Sequence, residues 1–112
     1  MDDIKIAKKY LSKIANAEKR NIKFSLPFSL FKKLVKQKHC EYSGVLMTQA
    51  SETNALTTDR TIERIDSSKG YIKGNVVAVC HGLNQLKGKC ENKNTYLTMD
   101  MIRGMINYID RR

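Results

Sequence analysis

Apolar positions recur along the start of the chain at helical spacing. Ile4, Ala7, Leu11, Ile14 and Ala15 fall near one face of a helix expected over residues 2 to about 19, and Lys5, Lys8, Lys9, Lys13 and Lys19 fall mostly on the other. Asp2 and Asp3 suit its positive end. Residues 20–24 read as extended. Ser25 can cap a second helix with Pro27 in the first turn, where a missing N–H costs nothing. That helix runs to about Lys36 and buries Phe28, Phe31, Leu34 and Val35. Helical spacing returns at the far end. There Thr98 caps a helix whose apolar face is Met101, Ile102, Met105, Ile106 and Ile109, with Arg111 and Arg112 at its negative end.

In the middle the period changes to two. Thr61-Ile62-Glu63-Arg64-Ile65-Asp66 alternates as a half-buried strand does, and Ser67-Ser68-Lys69-Gly70 supplies a turn. Gly74-Asn75 opens a second strand, Val76-Val77-Ala78-Val79, and after Cys80 residues 81–87 offer one to two turns of helix. Residues 48–58 and 88–94 read as loops, with Leu56 pinned to the core. Two strands and a helix bury little by themselves, so the flanking helices must pack around them. The expected architecture is α+β in a single domain, 1–112. It comprises a helical region (1–38), a knuckle and ββα core (39–90), and a C-terminal helix (91–112) packed with the rest.

Composition narrows the partners. Charged residues are 29% and hydrophobic residues 41% of 112, which fits one folded domain and not a disordered tail. No apolar run approaches a membrane span, and the N-terminus lacks the apolar centre of a signal peptide, so a cytoplasmic location without membrane is expected. A net charge of +10 favours polyanions through counterion release. Three cysteines, Cys40, Cys80 and Cys90, are an odd number and argue against a disulfide framework.

Five short stretches then stand in a particular order: Cys40-Glu41-Tyr42-Ser43-Gly44, Glu63-Arg64-Ile65-Asp66, Lys69-Gly70-Tyr71, Asn75-Val76-Val77 and Asn84-Gln85-Leu86-Lys87. Together they span about 50 residues, and the run resembles the ββα-metal nucleases, the HNH or His-Me finger family, especially its compact phage members. The resemblance implies an endonuclease that nicks or cleaves double-stranded DNA with one divalent cation, Mg²⁺ or Mn²⁺. It gives Glu63 and Asn84 the metal-ligand places and Asn75 the place of the asparagine that orients the base. Lys87 would meet phosphate, with Lys69, Tyr71 and Lys73 of the connecting loop and Lys89 beyond the helix also against the DNA backbone.

Arg64 stands where the family has its general-base histidine. An arginine stays protonated and cannot take a proton from water, although it can clamp a phosphate. Asp66, two residues on and on the same strand face, and His81 are left as groups to assist the water. Relatives with structural zinc carry paired Cys-x-x-Cys motifs. Here Ser43 and Leu83 take the second places, so no structural zinc is expected and Cys40 and Cys80 read as small buried hydrophobes. A second function stays open: a degenerate scaffold serving as a DNA-binding or protein-binding phage regulator.

Overall fold

The computed structural model describes residues 2–51, 53–92 and 97–111. The first helix, α1 (Asp3–Lys19), starts where the Asp2 side chain accepts the Lys5 N–H at 2.9 Å. Its inward stripe is Ile6, Tyr10, Lys13 and Ala17, with Ile6 and Ala17 buried, whereas Ile4 and Leu11 are 70% and 64% exposed. The face therefore differs from the one that the aliphatic pattern selects. Tyr10 and Lys13 have long apolar bodies, and their polar tips find partners inside. The Tyr10 hydroxyl donates to the Leu26 carbonyl, and Lys13 Nζ donates to the Ile62 carbonyl at 3.2 Å.

A second helix, α2 (Phe28–Lys36), begins after Pro27 with no side-chain cap. Ser25 instead donates its N–H to the Tyr71 carbonyl at 3.0 Å. Phe31, Leu34 and Val35 are buried, as their spacing predicts. Tyr10 gathers Phe24, Phe28 and Phe31 edge-on at 5.5, 5.2 and 5.2 Å between ring centroids.

Strands β1 (Arg60–Arg64) and β2 (Val76–Cys80) form one antiparallel hairpin, with Glu63 opposite Val77 and Arg64 opposite Val76. Helix α3 (His81–Glu91) follows β2 without a break and packs against both strands. It continues through Gly88, where the sequence suggests a loop. A mid-helix glycine costs only about 1 kcal/mol, which a docked helix absorbs. Residues 93 and 94, the remainder of that expected loop, lie outside the described residues.

The connecting loop is stitched to the α1–α2 linker. Tyr71 donates its N–H to the Lys23 carbonyl at 2.8 Å, and Phe24 bridges Tyr71 in parallel. Gly70 passes so close that a Cβ there would collide with the Lys23 carbonyl. Tyr71 is consequently a buried core residue, its ring 5.5 Å from that of Phe24.

Between α2 and β1, Cys40 opens a tight knuckle. Its N–H reaches the Val45 carbonyl, its carbonyl accepts from Gly44 N–H, and Gly44 takes φ +77. Cys40 and Cys80 are both buried and adjacent, with Cys80 N–H donating to Cys40 Sγ at 3.3 Å. Leu56 is exposed and does not pin its loop. That loop is held by buried Asp59, whose carboxylate accepts from Thr48 Oγ1 at 2.6 Å and from Leu56 N–H at 2.9 Å.

The last helix, α4 (Met99–Asp110), is capped by Thr98, whose Oγ1 accepts from Met101 N–H at 3.2 Å. Met99 meets Tyr42, Leu83 and Leu86 in an apolar pocket. The face aligned for burial stays outside: Met101, Met105, Ile106 and Ile109 are exposed and Ile102 is half-buried. No helix among the described residues is long and apolar enough to cross a membrane.

Candidate active site

Side chains alternate along β1, so Glu63 turns toward Lys87 of α3 while Arg64 turns toward the ring of Tyr71. On α3, Asn84, Lys87 and Glu91 follow one another at intervals of three and four and share a face. Where these meet, a cleft of about 340 Å³ opens, lined by Glu63, Arg64, Asn84, Lys87 and Glu91. Lys13 of α1 and Arg20, which caps the end of that helix, form its other wall, and Tyr71 also lines it.

The carboxylates share one cation. Lys87 Nζ lies 2.9 Å from Glu91 Oε1 and 3.8 Å from Glu63 Oε1, and it donates to the Arg64 carbonyl at 3.2 Å. Glu63 is 7% exposed, and its Oε2 has no hydrogen-bond partner among the described residues. Burial raises the Glu63 pKa, the Glu91 charge raises it further, and the opposing Lys87 ammonium and Tyr42 hydroxyl do not overcome them. Tyr42 faces the same carboxylate, and burial together with the Glu63 charge pushes its hydroxyl up to about 12. Burial acts on Glu91 too, but hydrogen bonds from Lys87 and Ser67 outweigh it and hold the acid below its ordinary value.

Arg64 fastens the loop. Its Nη1 donates to the Ser67 and Lys69 carbonyls at 2.8 and 3.0 Å, and the guanidinium lies 5.3 Å from the Tyr71 ring centroid.

Other residues singled out by the sequence fall elsewhere. Asn75 is buried, and its amide is spent on the loop: Nδ2 donates to the Asp66 and Gly70 carbonyls, and Oδ1 accepts from Asp66 N–H. It does not line the cleft. Asp66 lies beyond the end of β1, so the shared-face argument with Arg64 fails. Its Oδ1 accepts from the Ser68 hydroxyl and N–H at 2.6 and 2.9 Å, which hold its pKa down. His81 is the first residue of α3, six positions before Lys87, or about 9 Å along the axis, and it too is absent from the cleft lining. Lys69, Lys73 and Lys89 are exposed outside the cleft, Lys73 bordering a separate pocket beside Pro27 and Lys33.

The cleft thus unites Glu63, Arg64, Tyr71, Asn84 and Lys87 of the expected set, and it adds Lys13, Arg20 and Glu91. Glu91 had a visible signal, its spacing of four from Lys87, which reading Gly88 as a helix end conceals. Lys13 had only its place on the basic face of the first helix as a signal and Arg20 had none, because the crossing of α1 over the hairpin is a tertiary fact.

A second cleft of about 410 Å³ adjoins the first and shares Lys13, Ile62 and Asn84 with it. Its floor is Phe31, Val35 and Ile62, and its walls carry Lys9, Ser12, Asn16, Gln49 and Arg60. Arg60 Nη1 donates to Gln49 Oε1 at 2.9 Å. Among the described residues no carboxylate lines this cleft. Nowhere among the described residues do three or more His, Cys, Asp or Glu side chains gather as a metal-binding group.

No family model matches the chain, and no solved structure matches it. A stretch of 65 residues is 42% identical to an uncharacterized 29.0 kDa protein in the dda-modA intergenic region of Enterobacteria phage T4. The chain is similar to a phage protein. The matched stretch is 58% of this chain and 25% of that relative, so the chain spans about a quarter of the relative's length.

Proposed function

We propose that the cleft between the hairpin and α3 is the site of a divalent-metal-dependent DNA endonuclease of the HNH type. The observation that carries this reading is the Glu63 carboxylate. It is buried, one of its oxygens is unpartnered among the described residues, and Lys13, Arg20, Arg64 and Lys87 surround the cleft it lines. A carboxylate kept in such a place costs stability, and function is the usual reason it persists. The cations suit a phosphodiester backbone, which agrees with the net charge of +10.

The donors are hard oxygens, which fit Mg²⁺ or Mn²⁺: Glu63 and the Asn84 amide would hold the ion, with water completing its shell. Such an ion, when bound, supplies charge neutralisation at the scissile phosphate and the leaving oxygen. The chain's own groups supply the rest. Arg64, Arg20 and Lys87 grip phosphate oxygens and orient the backbone for in-line attack. Glu91, the second carboxylate lining the cleft, accepts the proton of the attacking water as the new P–O bond forms and the ester P–O bond breaks.

A second reading, a scaffold that binds DNA without cutting it, is favoured by one specific observation. Asp66 and His81, the groups proposed from the sequence to assist the water, both lie outside the cleft.

Supercoiled plasmid incubated with the protein, with and without Mg²⁺ or Mn²⁺ and beside Glu63→Ala, separates the two. Metal-dependent conversion to open circles that is lost in the variant is the expected result. No conversion in either metal, together with a salt-sensitive gel shift, overturns the enzyme and leaves the binding scaffold.

A further inference from the structure

The second cleft differs from the first in chemistry. The acidic cleft sets two carboxylates among cations, whereas its neighbour has Lys9, Lys13 and Arg60 and, among the described residues, no acid. A lining whose charges, among the described residues, are all positive selects an anion, yet a phosphate alone has no use for an apolar floor. That floor is Phe31, Val35 and Ile62, and the amides of Asn16, Gln49 and Asn84 stand around it. Neither the Asn16 nor the Asn84 side chain has a hydrogen-bond partner among the described residues, and the Gln49 NH₂ is equally unused. Apolar floor, free amides and flanking cations match the three parts of a nucleotide: a base face, a base edge and the adjoining phosphates. The volume of about 410 Å³ lies within the usual range for pockets that hold a small organic group.

We infer that this second cleft receives an unpaired nucleotide of a DNA strand whose adjoining phosphodiester lies in the acidic cleft. The inference rests on the proposed reading of that acidic cleft. Its physical core is access. In an intact duplex both faces of a base are stacked, so a base can lie on the Phe31–Val35–Ile62 floor only after leaving the stack. Lys13, Ile62 and Asn84 belong to both clefts, so one strand runs from one into the other without crossing a barrier. The substrate class is therefore DNA carrying a single-stranded, bulged or mismatched position, in preference to perfect duplex.

The test is fluorescence anisotropy in chelator, with labelled DNA hairpins identical except for one bulged nucleotide, an RNA hairpin of the same bulged sequence, and the double variant Lys9→Ala/Asn16→Leu. Both variant positions are exposed on α1, so the fold is expected to persist, and circular dichroism checks it. The wild type should bind the bulged DNA about tenfold more tightly than the paired one, and the ratio should fall toward one in the variant. Equal affinity for bulged and paired DNA, an unchanged ratio in the variant, or tighter binding of the RNA overturns the inference. Chelation removes cleavage from the measurement, so these results judge the second cleft, and the plasmid assay separately judges the hydrolytic site.

Discussion

Lys87 Nζ stands 3.8 Å from Glu63 Oε1, beyond hydrogen-bond reach, while Glu63 Oε2 has no partner at all among the described residues. The ammonium spends its short contacts on Glu91 and the Arg64 carbonyl. Glu63 is therefore answered by charge at a distance and by few donors, and burial dominates its titration.

A raised carboxyl pKa in the fold means that the folded chain holds the Glu63 proton more tightly than the unfolded chain does. Stability then falls as pH rises from the ordinary value of 4.5 through the folded value, and above it the ionised buried group exacts its full cost. Glu63→Gln should consequently be more stable than wild type at neutral pH, with the difference shrinking toward zero near about pH 4. Urea denaturation of both proteins at the two pH values measures this, and an equal difference at both would contradict it.

Asn75→Ala tests the loop role found for that amide. Two carbonyls and one N–H lose their partner at a buried position, a loss of about 3 kcal/mol. Faster hydrogen exchange over residues 66–74 should accompany the fall in melting temperature. Unchanged stability would return Asn75 to a role at the site.

The Cys40 thiol offers a titration of opposite sense. Burial raises its pKa, but hydrogen bonds from the Ser43 hydroxyl and from the N–H groups of Cys80, Ser43 and Tyr42 outweigh that and bring it from 9.0 to about 7. A depressed folded pKa contributes stability that is complete above the unfolded value and is lost as pH falls through the folded one. The stability of wild type relative to Cys40→Ala should thus grow between about pH 6 and pH 9. Paired denaturation curves, with thiolate absorbance followed in the native state, check both halves.

Arg20 is exposed at the cleft wall and makes no side-chain hydrogen bond among the described residues, so its loss should not perturb the fold. On the proposed reading Arg20→Gln weakens binding to all DNA sequences alike and lowers the slope of log affinity against log salt by about 0.9. A sequence-dependent loss with an unchanged slope would place Arg20 away from the phosphates.

The hairpin, α3 and the Phe31–Leu34–Val35 face were legible because period and turn chemistry are local properties. Motif order singled out Glu63, Asn84 and Lys87, and the fold brings the three to one cleft. What stayed hidden depends on tertiary approach. The inward face of α1 includes Lys13, which counts as polar until the Ile62 carbonyl and the Tyr71 ring are seen to receive it. Asn75 could be recognised as important, but only the folded loop shows that its amide closes on Asp66 and Gly70. The exposed face of α4 reads in sequence just as a buried one would.

Gly70 gives the absence of one methyl group a long reach. The hairpin loop lies against the Lys23 carbonyl there, and Lys23 belongs to the linker on which α1 ends and α2 begins. The far wall of both clefts is thus moored to the hairpin at a point that neither cleft contains. A side chain at position 70 would act like a wedge driven beneath a beam, spreading α1 from the strands and so resetting the width of both clefts at once.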